Sequence, residues 1–172
     1  MPARGGSDPE AGLVTRHRHP KRTLTLPPDG PWLLLADIRA MLRPRETLVV
    51  VPITPSDSWE FLTFPLPAKD DALSCQMTAV MVAATLRQFP DADQIFVATF
   101  SDRAAVRPVE NVQFTVIMRV HQDDIHLMGS YYASETGWGS YMCDHPECAG
   151  PRPLEELERG ATRLTSLGEL EP

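Results

Sequence analysis

The densest set of side chains able to bind or react is Cys143-Asp144-His145-Pro146-Glu147-Cys148. Two thiolates around a proline turn, with an imidazole between them, can supply three corners of a tetrahedral zinc, at a spacing within the C-x(2–4)-C range of structural knuckles. The ligand set Cys143, His145 and Cys148 needs a fourth member, for which Cys75, His121, His126 and Asp144 are the candidates. The same turn also allows a Cys143–Cys148 disulfide, or two partly buried free thiols around Pro146. A second set is positional. Parallel sheets bind ligands beyond the carboxyl ends of their strands, and two apolar runs here end in Thr54, Ser56, Asp57 and Ser58 and in Thr99, Ser101, Asp102 and Arg103. Asp57, Ser101, Asp102 and Arg103 would together bind or polarise a small anion or a metal-bound ligand. Ser, Asp and Pro are also ordinary loop residues. The chain carries no Gly-rich phosphate loop, no G-x-S-x-G elbow and no H-E-x-x-H motif.

The elements that would position these residues follow from the apolar pattern. Thr47 to Ile53 is an almost unbroken β-branched run, which suits a strand covered on both faces. Leu34, Ile38, Met41 and Leu42 before it have helical spacing, with Asp29 as cap and Pro31 in the first turn. Trp59 to Phe64 reads as its hairpin partner and ends near a sheet edge at Pro65 and Pro67. Asp70 and Asp71 open a long helix to about residue 88. It has two apolar stripes: Leu73, Met77, Val80, Met81 and Ala84 on one, Cys75, Ala79, Val82 and Leu86 on the other. Two stripes require burial on more than one side. Gln94 to Phe100 is the next strand, and the intervening helix predicts a crossover that lays it parallel to 47–53. A further helix from about 107, with Val109, Val112, Val116, Ile117 and Val120 on one face, leads to strands at 124–134 and 138–143. Residues 153–168 form an acidic helix whose Leu154, Leu157 and Leu164 have few apolar companions. Trp138 with Tyr131, Tyr132 and Tyr141 is the main aromatic concentration.

The net charge of −7 and the pI near 5.2 argue against general nucleic-acid binding, since phosphates would be repelled wherever no basic patch intervenes. One such patch exists, at Arg16, Arg18, Lys21 and Arg22. It sits among Gly and Pro with no apolar period, which predicts a disordered basic arm over 1–22. Thr23 to Leu26 alternates like a short edge strand. No stretch approaches a membrane span, and the first residues lack the apolar core of an export signal. With three cysteines, an odd number, this predicts a cytoplasmic protein with free thiols or metal ligands.

Two segments are similar to a known family. Pro44-Arg45-Glu46-Thr47-Leu48-Val49-Val50 with Pro65-Leu66-Pro67, and Trp138, Ser140, Cys143, Pro146 and Cys148 in the tail, resemble two signatures of the actinobacterial domain-of-unknown-function family 4192. The chain departs from these at Thr63 and Pro65, where the family has Arg and Asp, and at Ala149, where it has a second Cys. The resemblance, over about 23–155, implies a shortened member from an actinobacterium or its phage, and carries no activity with it.

The expectation is therefore a single three-layer α/β domain over 23–152: a mixed sheet with a parallel central strand pair and helices on both faces. A disordered basic arm (1–22) precedes it, and an acidic C-terminal helix and tail (153–172) follow. The function expected is that of a non-enzymatic binding or accessory protein acting through protein contacts, with an unidentified protein or a second copy as partner. The C-terminal helix and the aromatic last hairpin motivate that expectation. The alternative is a small-ligand-binding or hydrolytic domain at the strand ends, with a structural zinc at the Cys143/His145/Cys148 turn.

Overall fold

The computed structural model describes residues 14–20, 30–56, 58–69, 71–103, 108–141 and 151–161. These form a six-stranded mixed sheet of β1 (Thr15–Pro20), β2 (Thr47–Ile53), β3 (Ser58–Pro65), β4 (Gln94–Phe100), β5 (His126–Ala133) and β6 (Trp138–Ser140), in spatial order β1-β3-β2-β4-β5-β6. The helices are α1 (Trp32–Leu42), α2 (Ala72–Leu86), α3 (Pro108–His121) and a last helix, α4, over 154–161. The sheet is covered on both faces, as a three-layer α/β domain requires.

The expected parallel pairing of 47–53 with 94–100 is corrected. β2 and β4 are antiparallel, with Thr47 opposite Phe100 and Ile53 opposite Gln94. The parallel pair is β4 with β5. The cause is the hairpin between β2 and β3, which reverses the chain before α2 begins. The crossover through α2 therefore returns β4 parallel to β3, and β4 inserts on the far side of β2.

The same bookkeeping explains the layers. β1 to β2 and β3 to β4 are both parallel crossovers that skip one strand and move the same way across the sheet, but their strands point in opposite directions. Crossovers of one hand must then put their helices on opposite faces. The β4-α3-β5 unit shares the direction of β3-α2-β4 and places α3 beside α2. Accordingly Leu48, Val50, Leu62, Phe64, Ile95 and Val97 pack against Cys75, Ala79 and Val82 of α2 and Val112, Val116 and Val120 of α3. The alternate residues Val49, Val51, Phe61, Phe96 and Ala98 pack against Leu34, Leu35 and Ile38 of α1 and Leu157 of α4. Leu48 to Val51 are fully buried, which is what an apolar run without alternation demands.

Residues 15–20 of the expected disordered arm form edge strand β1, paired with β3 from Thr15↔Thr63 to Pro20↔Ser58. Its side chains are polar because only the backbone ladder and one face are used. Arg16 donates to Glu60 (2.6 Å) and Gln88 (2.9 Å) and lies over the Phe89 ring. His19, 8% exposed, faces Asp37 of α1 at 3.5 Å and packs on Phe61. Lys21, Arg22 and the expected strand at 23–26 lie outside the described residues, as does the expected Asp29 cap.

The acidic last helix, expected over 153–168 with few apolar companions, is described over 154–161 and docks on α1; Leu164 lies outside the described residues. Leu157 is 1% exposed, and α4 approaches α1 so closely that a Cβ on Gly160 would sit 3.1 to 3.2 Å from side-chain atoms of Leu33, Trp32 and Ala36. Trp138, also 1% exposed, is stacked on Trp32 and beneath the Arg152 guanidinium, and its Nε1 donates to the Pro153 carbonyl at 3.0 Å. The aromatic hairpin and the C-terminal helix thus form part of the core.

Candidate functional site

A cleft of about 780 Å³ opens at the carboxyl ends of β4 and β5. Its floor is Ala36, Phe100, Ala133 and Leu157, and its rim carries Arg39, Arg43, Arg45, Glu46, Ser101 and Asp102. One wall is the turn from α1 into β2. It contains two non-glycine residues with left-handed backbone, Arg43 (φ 46°), which ends α1, and Glu46 (φ 46°), which immediately precedes β2. Such a conformation costs about 1–2 kcal/mol in an ordinary residue.

Ser101 and Arg103, singled out in the sequence, both bond Glu46, a rim residue outside the expected set. Ser101 Oγ donates to Glu46 Oε1 at 2.6 Å, Arg103 Nε and a terminal guanidinium nitrogen donate to Glu46 Oε2 at 3.0 and 2.6 Å, and the Arg103 backbone N–H donates to Ser101 Oγ at 3.0 Å. The guanidinium also reaches the Pro67 and Ala68 carbonyls. Burial pushes the Glu46 carboxyl up. The Ser101 hydroxyl and the Arg103 guanidinium outweigh it, so the net shift is downward from the ordinary glutamate value. Asp102 turns the other way and accepts from the Glu135 backbone N–H at 3.3 Å. Glu135 in turn meets Arg45 across the mouth at 3.2 Å, both well exposed.

Asp57 lies outside the described residues. Because β2 is antiparallel to β4, the loop after Ile53 leaves the sheet where β4 begins, at the end opposite Ser101. Glu46 meets Ser101 and Arg103 for the same reason: the amino end of β2 lies beside the carboxyl end of β4. Sequence reasoning missed Glu46 because its role depends on that strand direction.

The chemistry open to the arrangement is limited. A carboxylate held low and filled by three donors is a poor general base. Among the described lining residues there is no His or Cys to activate Ser101. The cluster is a clamp joining the β2 start, the β4 end and the turn after β3.

The Cys143, His145 and Cys148 turn lies outside the described residues. Among the described residues no group of three or more His, Cys, Asp or Glu side chains is placed to hold a metal ion. Of the expected fourth ligands, Cys75 is buried in the core beneath α2, and His121 and His126 meet edge to face, ring centroids 5.8 Å apart. No helix among the described residues is long and apolar enough to cross a membrane.

The other unusual surface is the outer side of α2 and α3. The inner stripe of α2, Cys75, Ala79, Val82 and Leu86, is buried as expected, but the outer one is not: Leu73 is 71%, Met77 64% and Val80 59% exposed. Beside it on α3, Phe114 is 55% and Met118 51% exposed. All of α2, Ala72 to Leu86, lacks a single charged residue. Surface helices ordinarily carry charge on their solvent face, and a helix apolar all round is a buried one.

Comparison of the chain with protein-family models, with curated proteins and with solved structures gives no match.

Proposed function

We propose that this chain is a non-enzymatic binding or accessory protein that acts through protein contacts made by the outer face of α2 and α3. The observation carrying this reading is the charge-free α2 helix with Leu73, Met77 and Val80 standing in solvent. Leaving three large apolar side chains exposed forgoes about 1.5–3 kcal/mol each relative to burial. A contiguous patch of this kind marks an interaction surface. The C-terminal helix and last hairpin, which first suggested protein contacts, are used up in the core, so the interaction falls to α2 and α3. An actinobacterial or phage source stays part of this reading through the resemblance of the Pro44–Val50 and Trp138–Cys148 segments.

The test is a photo-reactive amino acid placed at Met77 and, as a control, at Glu135 on the mouth of the cleft, activated in lysate of the source cells. Adducts with protein at position 77 and few at 135 are expected. No adduct at 77, or equal yields at both positions, would overturn the reading.

A second reading, a small-ligand domain, draws support from the cleft and from the strained Arg43 and Glu46 backbone in its wall. It predicts slowed amide exchange of residues 43–46 and 101–103 on adding a small ligand, and is dropped if a broad screen of small anions leaves those amides unchanged.

A further inference from the structure

Resting on the protein-contact reading, we propose that the partner on the α2/α3 face is a second copy of this chain, docked two-fold with the two α2 helices antiparallel. Three observations carry this.

The first is spacing. Leu73, Met77, Val80 and Ala84, all exposed, recur at intervals of four, three and four residues, the pattern of a helix-pairing seam. That stripe has its midpoint between residues 78 and 79. An antiparallel two-fold copy therefore sets Leu73 against Ala84 and Met77 against Val80, large against small, with every contact made twice as an isologous interface requires.

The second is charge. A chain of net charge −7 repels its own copies wherever acidic surfaces meet. The outer face of α2 carries no charge, and the only charged residue from Asn111 to Val120 on α3 is Arg119, paired with Asp123 at 3.1 Å. The charges flanking α2 are opposite in sign: exposed Asp71 at the amino end and exposed Arg87 just past the carboxyl end. They are about 24 Å apart along the axis, and the same two-fold operation brings Asp71 of each copy to Arg87 of the other. Antiparallel packing also opposes the helix dipoles favourably.

The third is area. Two adjacent helices of this length present roughly 20 by 22 Å, on the order of 450 Å² per copy. The pair buries about 900 Å², short of the ~1,600 Å² of a standard interface. A weak, reversible dimer is the expected state.

The experiment is sedimentation equilibrium of the purified full-length chain from roughly 1 to 500 µM, the range in which so small an interface populates. The mass should rise from 19.1 kDa towards twice that value. Met77→Lys and Val80→Glu, each at an exposed position and so harmless to folding, should each weaken association by at least ~10-fold. Mixed one to one, they should recover a dimer, because the antiparallel register sets the new Lys against the new Glu. Two monomeric variants whose mixture stays monomeric overturn the register. A wild type monomeric throughout overturns the second copy as partner. That result leaves the broader reading to the cross-link at position 77, where an adduct with a different protein would sustain it and no adduct would end it.

Discussion

The sharpest energetic prediction concerns Gln113, a buried amide that ties α3 to the parallel strand pair. Gln113 is 1% exposed. Its Nε2 donates to Thr99 Oγ1 at 3.0 Å and to the Tyr131 carbonyl at 2.5 Å, while its Oε1 accepts from Ser130 Oγ at 2.5 Å. Thr99 and Ser130 are themselves buried, at 0% and 2%. Gln113→Leu keeps most of the volume but strands both hydroxyls. A buried polar group left unsatisfied costs about 1–3 kcal/mol. With partial relaxation, the single substitution should cost about 2–4 kcal/mol. Replacing the partners as well removes the orphans, and exchange of both members of a buried pair for apolar groups of like shape is close to neutral. The triple variant Gln113→Leu, Thr99→Val, Ser130→Ala should therefore be more stable than Gln113→Leu alone by about 1–3 kcal/mol, although it carries two more changes. Urea unfolding at pH 7 measures both, at protein concentrations low enough that self-association adds nothing. A loss below about 1 kcal/mol in the single variant, or a triple variant no better than the single, would refute the reasoning.

Three further outcomes follow. Trp138→Ala empties a site shared by Trp32, Arg152 and the Pro153 carbonyl and should cost about 3–5 kcal/mol, with α4 exchanging its amides first. An intact α4 protection pattern in that variant would show that Trp138 does not hold the helix. Glu46 titrates lower folded than unfolded, so the stability it contributes is present above its unfolded pKa and is lost as pH falls through the folded value. Glu46→Gln and Ser101→Ala should both flatten the decline in urea midpoint below about pH 4.5 and leave the slope between pH 5 and 7 unchanged. Parallel acid limbs in wild type and variants would contradict this. Because the Glu46 side chain is half exposed and Arg103 is 39% exposed, the effect is small. Finally, Arg16→Ala releases β1 from Glu60, Gln88 and the Phe89 ring. It should speed exchange of the Arg16–Pro20 segment while leaving the β2–β4 ladder protected. Uniform acceleration across the sheet would count against a local edge clamp.

What could be read from the sequence was whatever depended on local pattern. Leu48 to Val51 had to be a doubly covered strand, Cys75, Ala79 and Val82 an inward helix face, and Gln94 to Phe100 a strand, because each was specified by neighbours within a few residues. Strand direction is not local. The helix between Phe64 and Gln94 correctly signalled a parallel crossover, but from β3, since the intervening hairpin had already turned the chain. That single reversal shapes the site: it sends the end of β2 at Ile53 to the far end of the sheet and brings Glu46 to Ser101 and Arg103. β1 was invisible for a different reason. An edge strand is held by its ladder and by long-range polar partners, so Thr15-Arg16-His17-Arg18-His19 shows no apolar alternation to find. The two stripes on α2 imply burial on two sides, but only the inner stripe is buried and Leu73, Met77 and Val80 stay exposed. One side is met by the sheet, and the other is the basis of the proposed interface.

The claim that protein covers the outer face of α2 and α3 is tested most directly by methionine oxidation, because the chain contains its own control. Met77, Met118 and Met41 are 64%, 51% and 44% exposed, the first two on the α2/α3 face and the third on α1 across the sheet. In dilute purified chain a low dose of peroxide should convert all three to sulfoxide at comparable rates. In source cells, or in concentrated purified chain, peptide mass spectrometry should find Met77 and Met118 protected several-fold while Met41 stays as reactive as before. Three methionines that keep in step under every condition would contradict the account.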